Sequence, residues 1–280
     1  MNGDWQFQLE KHNYLAGPEL TTMVQLAVSL QRPLLIEGPA GVGKTSLAYA
    51  IAAVVERPLI RLQCFEGIDA AQALYDWNYH KQLAHLSRTG SDESSVFTDE
   101  FILERPLLKA LREESGAVLL MDEVDRTDEA FEALLLEFLS EFQITIPEWD
   151  TVTAKQPPIV LLTSNRTRPL SDALRRRCLY VHLSWPTEEL EQSIVRLYES
   201  NLSEDVVCSL VRSVRTLRTW DLLKPPGVAE TLDWARAFTI AGGGEWSLEF
   251  MAQTLGCVIK DAFDLESVQP RLSELLWVDA

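Results

Sequence analysis

The sequence predicts an α/β fold with a mainly parallel sheet, followed by a smaller all-helical part. Short apolar runs typical of buried strands alternate with helical patterns along the first two thirds of the chain. A complete glycine-rich phosphate-binding motif lies between the first of these runs and a helix. After Trp185 and Pro186 the apolar runs stop and only helical patterns follow. We therefore expect two domains, residues 1–186 and residues 187–280.

The individual elements follow from hydrophobic periodicity and from turn residues. The predicted strands cover residues 32–37, 59–64, 117–121, 159–163 and 179–183. Helical patterns between them include residues 44–55, 98–112 and 128–142. The second part contains five predicted helices, at residues 187–200, 204–217, 228–241, 248–263 and 269–277. Residues 90–95, rich in serine and acidic side chains, are predicted to form a mobile loop.

Composition restricts the class of protein. The chain has 280 residues, of which 46% are hydrophobic and 24% charged, as in soluble globular proteins. It shows no apolar run near the ~20 residues of a membrane-spanning helix, and its first residues lack a secretory signal. We expect a cytoplasmic protein without a transmembrane segment. The formal net charge of −17 repels phosphate backbones, so we expect no nucleic-acid partner.

Residues 38–45 match the pattern G-x-x-x-x-G-K-[ST] in full, in the strand–loop–helix context that this motif requires. Backbone N–H groups of such a loop surround phosphate oxygens, and the helix that follows adds a positive dipole end. We expect Lys44 to reach the β- and γ-phosphates of ATP and Thr45 to hold Mg²⁺. The predicted nucleotide-binding residues are Gly38, Pro39, Ala40, Gly41, Val42, Gly43, Lys44, Thr45 and Ser46.

Two further strands end in polar side chains. The run at residues 118–121 is followed by Asp122 and Glu123, where α/β sheets bind their ligands. We expect Asp122 to hold Mg²⁺ and Glu123 to polarise the attacking water as general base. The run at residues 159–164 ends at Asn165, which could donate to the γ-phosphate or to the water. An asparagine at a strand end can also serve only as a turn residue.

These motifs, together with the arginine run of residues 175–177, resemble those of the AAA+ ATPases. Within that group the chain resembles the MoxR family, through residues 36–45, 121–126 and 169–174. Finer details resemble the CoxD-type proteins found with carbon monoxide dehydrogenase and related molybdenum hydroxylases. These details lie in residues 62–67, 75–79 and 225–234.

The resemblance implies a five-stranded parallel sheet in the order 5-1-4-3-2, a helical lid and a hexameric ring. It also implies that a neighbouring subunit supplies an arginine finger to the γ-phosphate. Arg177 matches the finger position, and Arg176 is the alternative. These arginines could also cap a helix end and pair with acidic surface groups.

The chain departs from the MoxR pattern where that family places an arginine at the start of the third lid helix. Residues 227–232 contain no basic side chain, and Arg236 farther along is expected at the surface. Slow or partner-dependent hydrolysis is therefore expected. Two hairpin inserts are also expected, one carrying Tyr75, Trp77 and Tyr79 and the other at residues 143–159. The aromatic side chains could contact a client or pack against their own domain.

The resemblance implies an ATP-driven remodelling chaperone that matures a client metalloenzyme, such as a molybdenum hydroxylase, with a von Willebrand factor A (VWA) domain partner. The alternatives are an AAA+ nucleic-acid motor or clamp loader, which shares every ATP motif, and a nucleotide-gated scaffold with little turnover. The acidic net charge argues against the first alternative, and the intact Glu123 argues against the second.

Overall fold

The computed structural model describes residues 5–89, 96–147 and 149–276, so the predicted loop at residues 90–95 lies outside the described chain. By internal contacts the chain groups into two compact units. The first comprises the chain up to Gly38 together with Lys44–His182. The second comprises Pro39–Gly43 and the chain from Leu183 onward. No helix in the described part of the chain is both long and apolar enough to cross a membrane.

The first unit contains nine strands and eight α-helices among its described residues. The strands are β1 Leu34–Glu37, β2 Leu59–Gln63, β3 Tyr75–Trp77, β4 Ile102–Glu104, β5 Val118–Asp122, β6 Gln143–Thr145, β7 Thr151–Thr153, β8 Ile159–Ser164 and β9 Leu179–His182. The helices are α1 Trp5–Lys11, α2 Pro18–Leu30, α3 Lys44–Val55, α4 Ala70–Ala73, α5 Tyr79–Thr89, α6 Pro106–Arg112, α7 Glu129–Glu141 and α8 Asp172–Arg177. Short 3-10 turns cover Asp99–Phe101 and Val124–Arg126.

The main sheet has five parallel strands in the order β2-β5-β8-β1-β9. When only the five strands of this sheet are numbered in chain order and the sheet is read from the β9 edge, the order is 5-1-4-3-2. This is the predicted order, so the predicted α/β fold is confirmed. All residues of β1 and β5 are buried, because helices cover both faces of a parallel sheet. In register, Glu37 stands beside Ser164, and Gln63 stands beside Asp122. The carboxyl ends of these strands therefore meet at one edge of the sheet.

The prediction of one helix over residues 98–112 is wrong in its first half. A 3-10 turn and β4 precede α6, and β4 pairs antiparallel with β3 through Trp77 and Ile102. Pro106 explains the break, because a proline disfavours helical backbone at the preceding residue. Arg105 accordingly has φ −102° and ψ 171°.

Both predicted inserts contain antiparallel strands. The pair β3–β4 carries Tyr75 and Trp77, whereas Tyr79 already begins α5 instead of continuing the strand. The two aromatic side chains are half-buried and meet edge to face with ring centroids 6.3 Å apart. They also pack against the main core, as the second of the two expected alternatives requires. The second insert pairs β6 with β7, which confirms the hairpin predicted within residues 143–159.

The second unit is helical over its described residues. It contains α9 Glu188–Tyr198, α10 Glu204–Thr219, α11 Val228–Ile240, α12 Leu248–Thr254 and α13 Ala262–Val268, with 3-10 turns at Leu255–Cys257 and Gln269–Leu275. Residues 248–263 do not form the single predicted helix, because the chain leaves helical geometry near Gly256 and Asp261 caps the next helix. The core centres on Trp234, whose ring lies 4.8 Å from that of Trp246.

Candidate functional site

The phosphate-binding motif forms a loop between β1 and α3. Gly41 and Gly43 have φ angles of 78° and 93°, a left-handed backbone region that favours glycine. Lys44 is buried, and its Nζ donates to the carbonyl of Gly38 at 2.6 Å and to Asn165 Oδ1 at 2.7 Å. Burial lowers the pKa of the Lys44 ammonium, while the carboxylates of Asp122, Asp125 and Glu123 act in the opposite direction. The ammonium therefore lies fixed at the mouth of the loop.

The two predicted metal ligands lie side by side. Thr45 Oγ1 is 3.3 Å from Asp122 Oδ1 and 3.2 Å from Asp122 Oδ2. A hydroxyl and a carboxylate are hard oxygen ligands of the kind that Mg²⁺ prefers when it also binds phosphates. Asp122 is itself held by the hydroxyl of Thr163, which donates to Oδ1. This pair of side chains fits a Mg²⁺ ion.

Glu123 follows β5 with a φ of 59°, a left-handed conformation that is strained for a residue with a side chain. Its N–H donates to Thr163 Oγ1 at 2.9 Å, which fixes the backbone. Its carboxylate accepts from Asn165 Nδ2 at 3.4 Å and pairs with Arg126 Nε at 2.7 Å. The carboxylate is thereby held beside the amide that also contacts Lys44.

Asn165 links the other groups of this site. Its Oδ1 accepts from Lys44 while its Nδ2 donates to Glu123, so one amide touches both the phosphate lysine and the acidic side chain. The backbone N–H of Asn165 points to the buried carboxylate of Asp125. The predicted residues Lys44, Asp122, Glu123 and Asn165 thus form one continuous network, with Thr45 at its edge.

Arg61 and Gln63 on β2 also reach the site, although no sequence motif predicts them there. Arg61 Nη2 pairs with Asp122 Oδ2 at 2.6 Å, and Gln63 Nε2 donates to Glu123 Oε2 at 3.3 Å. Both side chains alternate with the buried Ile60 and Leu62, so the period of two places them on the same face. That alternation, on a strand expected in the sheet, is the signal that could have identified them.

The arginine run occupies the last turn of α8. Arg177 is exposed, and its Nε donates to Ser140 Oγ at 3.0 Å. Ser140 lies near the end of α7, about 16 Å from the start of that helix at 1.5 Å per residue. Arg175 stacks over Tyr180 at 5.6 Å, and the carbonyl of Arg176 accepts from Arg32. Arg177 is therefore directed toward α7.

In the second unit, α11 begins after Gly227, and Glu230 caps it by accepting the N–H of Gly227 at 2.8 Å. This is the region where the MoxR pattern has an arginine. Arg236 is exposed, as the sequence predicts.

A parallel sheet in this order, a glycine-rich phosphate loop and an Asp-Glu pair at the neighbouring strand end define a P-loop nucleotide-binding protein. The family model for the AAA domain (dynein-related subfamily) matches residues 33–178, slightly more than half of the chain. The chain belongs to this family of AAA domain proteins.

Sequence relatives include an uncharacterized protein of Staphylococcus saprophyticus, 24% identical over 202 residues that cover 70% of this chain and 72% of that protein. Another, from Staphylococcus haemolyticus, is 26% identical over 198 residues, covering 68% and 70% of the two chains. Among solved structures, two mutants of Thermotoga maritima RuvB have TM-scores of 0.51 at 19% and 21% identity. The matches cover 85% and 89% of this chain and 67% and 68% of those chains. At this identity the likeness concerns the fold.

Proposed function

We propose that this protein hydrolyses ATP to ADP and phosphate at a site completed by a neighbouring subunit. The observation that carries the proposal is the single amide of Asn165, which contacts both Lys44 and Glu123. Such a bridge would hold a γ-phosphate group and an attacking water next to each other. Family membership supports the same reaction.

In this proposal each side chain has a separate task. Lys44 and the backbone of residues 38–46 bind the phosphates, while Thr45 and Asp122 hold Mg²⁺, which would neutralise phosphate charge. Glu123 accepts a proton from the attacking water, and Asn165 orients that water or the γ-phosphate. Positioning and electrostatic stabilisation provide most of the acceleration in such phosphoryl transfers.

Arg177 is proposed to act on the site of a neighbouring copy. Its side chain is exposed and turned toward Ser140 near the end of α7, which supports a role outside its own site. A ring of six subunits, as in the MoxR group, would place each arginine run next to a neighbour's phosphate loop. Arg176 is the alternative donor.

The biological role proposed for this ATPase is remodelling of a client protein. The MoxR and CoxD-type segments support a VWA-domain partner and a client metalloenzyme such as a molybdenum hydroxylase. The net charge of −17 favours protein partners over nucleic acid. The cytoplasm is the proposed location.

Phosphate release from Mg²⁺-ATP tests the proposed role. Basal turnover should be slow, because the start of α11 carries no arginine, and a VWA-domain protein purified from the same cells should raise it. Single- or double-stranded DNA at physiological salt should leave the rate unchanged. Strong stimulation by DNA, with none by the VWA-domain protein, would replace the remodelling role with a nucleic-acid motor.

A further inference from the structure

Asp125 is a carboxylate that the proposed chemistry does not use, although it is 2% exposed and lies three residues after the metal ligand Asp122. A buried charge of this kind is costly unless several donors satisfy it. Both of its oxygens lie 3.2 Å from the backbone nitrogen of Asn165. Its Oδ2 also accepts from the N–H of Thr167 at 2.8 Å and from Thr167 Oγ1 at 2.7 Å.

These donors belong to a tight bend of the chain after β8. Between them Arg166 has a φ of 62°, a left-handed conformation that is unfavourable for a side-chain-bearing residue. The N–H of Arg166 donates to Ser164 Oγ at 3.0 Å instead of to Asp125. The N–H groups of Asn165 and Thr167, on either side of Arg166, therefore both point to the carboxylate of Asp125. These hydrogen bonds stabilise the strained conformation of Arg166.

The bend determines where the side chain of Asn165 lies. Asn165 reaches Lys44 at 2.7 Å and Glu123 at 3.4 Å, and both distances depend on the position of its backbone. A misplacement of about 1 Å in such a site can cost about 100-fold in rate. A group that holds this backbone therefore acts on the site without touching the substrate.

We propose that Asp125 is a positioning residue, which fixes the backbone of Asn165 so that its side chain stays within hydrogen-bond distance of Lys44 and Glu123. This inference rests on the proposed ATPase activity. Its negative charge matters for this role, because both of its oxygens face the N–H of Asn165, and an amide in either orientation would turn its NH₂ group toward that donor. The carboxylate also joins the two neighbouring strands β5 and β8 beyond their last paired residues.

The first experiment compares Asp125→Asn and Thr167→Val with the wild type. Asp125→Asn should lower kcat at least about tenfold while the Kd for ATP changes less than about threefold, because phosphate binding does not require the bend. Thr167→Val keeps the carboxylate and removes one hydroxyl donor, so its kcat should fall less. Glu132→Gln is the matched control. This buried carboxylate accepts from Arg168 and from the N–H of Ser171, and it has no contact with Asn165, so kcat should be retained.

A double-mutant cycle distinguishes positioning from general damage. If Asp125 acts through Asn165, adding Asp125→Asn to Asn165→Ala should cause almost no further loss of kcat. An undiminished further loss in that background would overturn the proposal. So would a wild-type kcat in Asp125→Asn.

Hydrogen exchange tests the same contact without turnover. The backbone amides of Asn165 and Thr167 should be protected in the wild type and should exchange much faster in Asp125→Asn, with Glu132→Gln unaffected there. If the wild type failed to hydrolyse ATP, the proposed function would fail, and this measurement would still decide whether Asp125 holds the bend. Equal protection in the wild type and Asp125→Asn would overturn the proposal.

Discussion

At the scale of single residues, the carboxylate of Glu123 is held by side chains from β2, from the turn that follows Glu123 and from the end of β8. Gln63, Arg126 and Asn165 all contact its carboxylate, and they come from three different segments. Hydrogen bonds from charged and neutral donors hold a carboxylate in a fixed direction. The carboxylate of Glu123 is therefore already oriented when the attacking water binds.

Lys44→Ala should lose nucleotide binding, whereas Glu123→Gln should bind ATP normally and turn it over at least about 100-fold more slowly. The reason is that Lys44 contacts phosphates, whereas a general base acts only on the water. Titration with a fluorescent ATP analogue and a phosphate-release assay measure the two effects. Lys155→Ala, at an exposed lysine that pairs with Glu114, is the control and should match the wild type. Equal loss of binding in both variants would refute the assigned roles.

The site residues that can be predicted from the sequence are those whose role is recognisable from a short local motif. Lys44, Thr45, Asp122 and Glu123 belong to recognisable motifs, and the structure brings them together. Arg61 and Thr163 were not predicted, because their contacts with Asp122 depend on which strands become neighbours. Strand pairing is a non-local property, and local patterns do not contain it.

At the scale of elements, the strength of the local sequence pattern also explains which helices and strands could be predicted. Strand β5 is apolar up to its last residue, Asp122, and α3 follows a glycine-rich loop, so both had strong local signals. Strand β4 has three residues and forms because it pairs with β3, in which Trp77 lies 25 residues before its partner Ile102. A three-residue strand has almost no periodicity of its own. The proline at position 106 was the one local sign that the predicted helix had to begin later.

The helices α9, α10 and α11 are joined by a buried ion pair. Arg218 donates to both oxygens of Glu191, at 2.7 and 2.6 Å, and Thr231 Oγ1 donates to the same carboxylate at 2.7 Å. The side chain of Glu191 is 0% exposed and that of Arg218 is 6% exposed. Arg218 also lies 4.5 Å from the ring of Trp185 and donates to the carbonyl of Pro226.

Glu191→Ala should therefore lower the free energy of unfolding of the helical unit by about 3–5 kcal/mol, because it leaves a buried guanidinium without its counter-charge. Arg196→Ala, on α9 like Glu191, removes an exposed ion pair with Glu204 of α10, and it should cost at most about 1 kcal/mol. Chemical denaturation followed by tryptophan fluorescence measures both values. Similar losses in the two variants would show that the buried pair does not stabilise this unit.

At the scale of the whole molecule, the proposed ATP site takes its arginine finger from the neighbouring copy. Asn165 contacts both Lys44 and Glu123, and Thr163 joins Asp122 to Glu123, while Arg177 contacts Ser140 on α7. A finger from a neighbour is worth about 10³–10⁵ in rate in related P-loop enzymes. The assembly, and not the single chain, is therefore the proposed catalytic unit.

Mixing two inactive variants tests this shared site most directly. Arg177→Ala retains Glu123 but lacks the finger, whereas Glu123→Gln retains the finger but lacks the base. Phosphate release is measured for each alone and for an equal mixture after subunit exchange. In the mixture about a quarter of the interfaces would be complete by random assembly in a ring.

The control is a mixture of Glu123→Gln with the double variant Glu123→Gln/Arg177→Ala, in which no interface can be complete. Activity should recover in the first mixture, to about a quarter of the wild-type rate if interfaces work independently, and not in the control. If both singles are inactive and exchange subunits, yet the first mixture stays as inactive as the control, a site shared through Arg177 is contradicted.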